Sequence, residues 1–126
     1  MLVMLGLWSC KTDNKATITP EADCTSKLPE TVSYANHVQP IFSKNCATSG
    51  CHQGADPAGG LNLEAGKAYA EISKKGSGYI DTLQPQYSVL VSSMLSTTNP
   101  MPPNGKLDQC DIELIKKWML QKAKNN

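Results

Sequence analysis

The sequence predicts an all-α domain, on three observations. Apolar residues recur at helical spacing in separate segments, clusters of glycine and proline divide those segments, and the last segment carries helix-start and helix-end chemistry. The first helix is expected from about Ser33 to Asn45, with Val38, Ile41 and Phe42 as its apolar residues. Pro40 belongs in its first turns, because an interior proline removes a backbone donor and kinks a helix. A second, short helix is expected near Glu64 to Lys75, stopped by Gly76 and Gly78. A third runs from about Tyr87 to Leu95, where Leu90, Val91, Met94 and Leu95 share a face. The last begins near Asp108, an N-cap with Asp111 in the first turn, and ends in lysines that complement the helix dipole. Ile112, Ile115, Trp118 and Met119 form its buried stripe, with Trp118 expected near Phe42.

With 126 residues, 40% hydrophobic and 18% charged, the chain fits one domain plus a tail. Aromatic residues are only 6%, so a large planar cofactor would add buried apolar surface that the side chains lack. A net charge of +1 gives no footprint for nucleic acid. Every cationic side chain apart from histidine is lysine. A lysine-rich face either steers docking onto an acidic partner or is plain solvated surface.

The most specific stretch is Cys46-Ala47-Thr48-Ser49-Gly50-Cys51-His52. Two cysteines ending in an immediate Cys-His pair form the pattern of covalent haem attachment, in which each thiol becomes a thioether and the imidazole ligates iron. Four residues separate the cysteines here instead of the usual two. On a continuous helix that spacing would turn Cys51 roughly 140° from Cys46, so the loop has to bulge. Ser49-Gly50 suits a bulge, because glycine enters left-handed conformations without a Cβ penalty. Two other readings stand beside haem: a short-loop Cys46–Cys51 disulfide with a solvated His52, and a zinc site. Zinc fits poorly, since adjacent Cys51 and His52 would have to converge on one ion.

The segment Asn99-Pro100-Met101-Pro102-Pro103-Asn104-Gly105 holds one long apolar side chain among three prolines, in a stiff loop where a helix cannot form. A thioether held this way can be an axial iron ligand. With His52 opposite, the iron would be six-coordinate, which raises the potential and leaves no position for substrate. Met94 and His37 are the competing ligands, but Met94 lies on a helical apolar stripe and His37 closely precedes the attachment motif.

Together these residues resemble a small monohaem cytochrome c, the C-x4-C-H variant found in lipoprotein cytochrome c domains of Bacteroidetes-type bacteria. The resemblance runs from about Ser33 to the C-terminus. It rests on Val38-Gln39-Pro40-Ile41-Phe42, the Cys46–His52 motif, Gly59-Gly60-Leu61-Asn62-Leu63, Met101-Pro102-Pro103 and Ile115-Lys116-Lys117-Trp118. It implies a class I-like cytochrome c fold, three to five helices around one covalent haem c, with the terminal helices crossing. It also implies Cys46 and Cys51 as attachment residues, His52 as proximal ligand and Met101 as distal ligand. Leu61 and Leu63 are expected against the ring. Tyr79 and Tyr87 are read as partly exposed core tyrosines, with a propionate contact as the alternative.

The N-terminal Met1-Leu2-Val3-Met4-Leu5-Gly6-Leu7-Trp8-Ser9-Cys10 is apolar up to a cysteine and then abruptly polar. It reads as an export signal, residues 1–9, ending in a lipobox that leaves Cys10 lipidated. The segment is shorter than usual signals and lacks a basic start, which fits a true start further upstream. A coincidentally apolar start with a free Cys10 is the alternative. Residues 10–30 then form a flexible tether, and 31–126 the domain. With Cys10 on lipid and Cys46 and Cys51 on haem, Cys24 and Cys110 are left and are expected to form a disulfide, with two buried thiols as the alternative.

The leading expectation is an electron carrier, not an enzyme. It would be exported to the periplasm or cell surface, anchored by Cys10 to a bacterial membrane, and monomeric. It would exchange electrons with redox partner proteins, as a free shuttle or as an accessory subunit of a redox enzyme. The alternatives are a haem sensor or catalytic haem protein with labile methionine ligation, and a haem-free, disulfide-stapled binding lipoprotein.

Overall fold

The computed structural model describes residues 23–126. The predicted signal segment 1–9 and the lipidation site Cys10 lie outside the described residues. Four α-helices, α1 (Gln39–Asn45), α2 (Ala68–Ile72), α3 (Val89–Leu95) and α4 (Gln109–Leu120), make up the fold, with no strand among the described residues. The expected all-α class is therefore observed. No helix among these residues is long and apolar enough to cross a membrane.

The first predicted helix forms in two parts. Tyr34–Val38 is a π-helical turn that runs straight into α1, and Pro40 sits in the first turn of α1. The wider turn suits the proline, which has no N–H for the ordinary helical bond; Gln39 N–H instead donates five residues back to the Tyr34 carbonyl. Ser33 caps the start by accepting from Asn36 N–H.

α2 is shorter than the Glu64–Lys75 helix predicted. Gly66 has φ +84°, a left-handed conformation that a right-handed helix cannot include, so Glu64 only closes turns onto Lys67 and Ala68. α3 begins later than predicted because Pro85–Tyr87 forms a separate turn of 3-10 helix, after which Ser88 Oγ accepts from Val91 N–H. Tyr87 is 72% exposed, which corrects its reading as a core tyrosine: the 3-10 turn directs it away from the packed face of α3.

α4 begins as expected. The Asp108 carboxylate accepts from Cys110 N–H at 2.8 Å, and Ile112, Ile115, Trp118 and Met119 are buried. Its packing partners are the Tyr34–Val38 turn, α3 and the Pro85–Tyr87 turn. Tyr34 lies between the two rings expected to meet, with its centroid 6.4 Å from Phe42 and 5.4 Å from Trp118, and Tyr69 completes the cluster at 5.1 Å. The polar tips are satisfied: Trp118 Nε1 donates to the Lys124 carbonyl and Tyr69 Oη to that of Ala123.

Cys24 and Cys110 form the predicted disulfide, with Cα atoms 5.2 Å apart, closing a span of 86 residues. It fastens the residues before the first helix to the start of α4. The chain is then tied down further by Gln121, which accepts from Val32 N–H and donates to the Glu30 carbonyl.

Candidate haem site

The Cys46–His52 loop leaves α1 where Cys46 N–H and Ala47 N–H both donate to the Phe42 carbonyl at 2.8 Å. It then doubles back. Cys51 N–H donates to Thr48, His52 N–H to Cys46 at 3.1 Å, and Gly50 takes φ +77°. This is the bulge that the longer spacing demands: the glycine supplies the left-handed residue, and the two ends of the motif are bonded to each other. Both thiols are free and partly buried. Burial, and second the neighbouring Cys51, push the Cys46 thiol up to about 11, so it stays protonated at neutral pH.

His52 is fixed by the segment that follows. Its Nδ1 lies 3.1 Å from the Leu61 carbonyl, and a carbonyl only accepts, so Nδ1 carries a proton, and in the neutral ring the lone pair then sits on Nε2. Leu63 N–H donates to the His52 carbonyl at 2.8 Å, so the Leu61–Leu63 segment grips the residue at ring and backbone together. An outer carbonyl that sets the tautomer of an imidazole is what a metal-ligating histidine requires.

Met101 returns to the same place from the other end of the domain. Its backbone N–H donates to the Ser93 carbonyl at 3.0 Å, folding the proline loop back onto α3. The side chain is 42% exposed.

Two adjoining clefts meet at this point. One, of about 710 Å3 with its open mouth included, is lined by Cys46, His52, Leu61, Leu63, Met94 and Met101 among others. The other, about 470 Å3, is lined by Cys46, Cys51, His52 and the Met101-Pro102-Pro103 run. The structure thus brings Cys46, Cys51, His52 and Met101 together, with Leu61 and Leu63 beside them as expected and Tyr79 in the larger wall. Sequence reasoning missed that Met94, 5% exposed, is both a core residue and part of that wall. One helical stripe serves both surfaces, so periodicity alone does not separate them.

Among the described residues no three His, Cys, Asp or Glu side chains converge as a metal cluster, which removes the geometry a tetrahedral zinc site needs. The donor set suits haem: two free thiols next to a histidine with an available Nε2, a thioether, and apolar walls.

The Planctomycete cytochrome C family model matches residues 49–105. This supports a cytochrome c-like domain. The matched segment contains Cys51, His52 and Met101 and starts three residues after Cys46. No curated protein and no solved structure matches the chain.

Proposed function

We propose that this protein carries single electrons on one covalently bound haem c. Cys46 and Cys51 would supply the thioether links, His52 the proximal ligand and Met101 the distal one. The observation that carries the reading is the His52 ring: its Nδ1 is bound to the Leu61 carbonyl and its Nε2 is free, in a cleft that also holds both thiols and a methionine. When bound, haem c provides a reversible one-electron iron couple.

The residues around it do the rest. Leu61, Leu63, Leu90 and Leu107 would exclude water from one side of the macrocycle. His52 and Met101 would hold the iron between them, and a group held by two protein ligands would favour electron transfer over peroxide or oxygen chemistry. Val89 and Met101, 43% and 42% exposed on the cleft wall, leave an edge through which a partner protein can exchange electrons.

The remainder of the reading supplies the setting. Lipid on Cys10 would anchor a monomeric, exported carrier to a bacterial membrane, facing the periplasm or the outside, with the residues between Cys10 and the disulfide at Cys24 giving reach toward redox partner proteins. The lysine-only cationic surface suits acidic partners, and a net charge of +1 gives nucleic acid no purchase.

The ligand assignment is tested by maturing the wild type, Met101→Ala and Met94→Ala in one host. The Met101→Ala protein should keep its haem and lose the sulfur-to-iron charge-transfer band of the ferric form, whereas Met94→Ala should keep the band. The reverse pattern would move the distal ligand to Met94.

A further inference from the structure

We infer that Gln39 is a positioning residue for His52 and thereby sets the redox poise of the site, an inference that rests on the haem reading above. Gln39 opens α1 and is one of only two buried polar residues among those described, at 8% exposure. A primary amide is costly to bury unless its groups are paired, and here both ends are. Tyr34 Oη donates to Gln39 Oε1 at 2.8 Å, while Gln39 Nε2 donates to the Leu63 carbonyl at 3.1 Å and to Ser43 Oγ at 3.2 Å.

Leu63 is where this network meets the site. Its carbonyl is held by Gln39, its N–H donates to the His52 carbonyl, and two residues earlier the Leu61 carbonyl accepts from His52 Nδ1. The Leu61–Leu63 segment is therefore pinned between α1 on one side and His52 on the other. The leucine side chains are buried at 9% and 2%, but apolar contacts are non-directional and would let the segment slide. Gln39 gives it a fixed register. A well-aligned Nδ1–H bond makes the imidazole a more basic ligand, which favours oxidised iron and lowers the reduction potential. Freeing Leu63 lengthens that bond and raises the potential.

The test compares haem-loaded wild type with Gln39→Met, Tyr34→Phe and the Tyr34→Phe/Gln39→Met double variant. Methionine keeps the length and removes the amide, and the double variant leaves no hydroxyl orphaned beside it, which protects the fold. Both proteins lacking Gln39 should show a higher reduction potential, on the order of tenfold in the redox equilibrium constant or roughly 59 mV for one electron. The His52 Nδ1–H resonance of the ferrous protein should move upfield with it. Tyr34→Phe alone, which leaves the bond to Leu63, should stay close to wild type. A double variant that carries haem with unchanged potential and resonance overturns the inference and leaves the haem reading standing. A wild type that carries no haem overturns both.

Discussion

The two sides of this domain solve the problem of burial differently. Where α4 meets the first helical segment, Tyr34, Phe42, Tyr69 and Trp118 fill the space themselves, and every ring with a polar tip finds a partner for it. Beside the Cys46–His52 loop, Leu61, Leu63, Leu90, Met94 and Leu107 belong to the same buried core, yet they also line a cleft that stays open. Four rings close one region of a chain that has 6% aromatic residues; the other keeps an open cleft with mainly apolar walls. The difference separates what holds the fold from what the fold is for.

Breaking the closed side should cost most. Trp118 is fully buried, so Trp118→Ala leaves a cavity and should destabilise the protein by about 3–5 kcal/mol in denaturant unfolding. Cys24→Ser with Cys110→Ser frees an 86-residue span and should cost about 2–4 kcal/mol, readable as a lower unfolding midpoint. Asp108→Ala, which removes the N-cap of α4, should cost about 1 kcal/mol by the same measurement.

The smallest effect belongs to the open side. Glu64 brackets the loop after His52: its carboxylate accepts from Asn62, Lys67 and Gly54 N–H. The Asn62 hydrogen bond first, then Lys67 and Gly54, hold its carboxyl below the ordinary value of 4.5. A depressed folded value means the contribution is complete above pH 4.5 and is lost as pH falls through the folded value. Glu64→Gln should flatten that acidic step in the amide exchange of Gly54, with little change near neutrality.

The same division governs what could be read from the sequence. The closed side follows local rules: the α4 stripe and the Asp108 cap depend on residues within one turn. The two candidate attachment cysteines and the two candidate ligands, His52 and Met101, stand out in the sequence because their chemistry is rare. The Leu61 carbonyl on His52 and the Gln39 link to Leu63 were not, since they join residues 9 and 24 positions apart through backbone groups that every residue carries. The π-helical turn before Pro40 and the break of α2 at Gly66 arise where one residue's backbone overrides an otherwise helical pattern.

In the function proposed above, the open cleft holds haem through Cys46 and Cys51. This is tested most directly by exporting the protein through a cytochrome c maturation system, denaturing it, and recording the reduced pyridine haemochrome spectrum with the intact mass. The account predicts haem that survives denaturation, a mass increased by one haem, and loss of both in the Cys46→Ala/Cys51→Ala variant. Colourless wild type at the bare polypeptide mass, from a host that matures a control cytochrome, would contradict it.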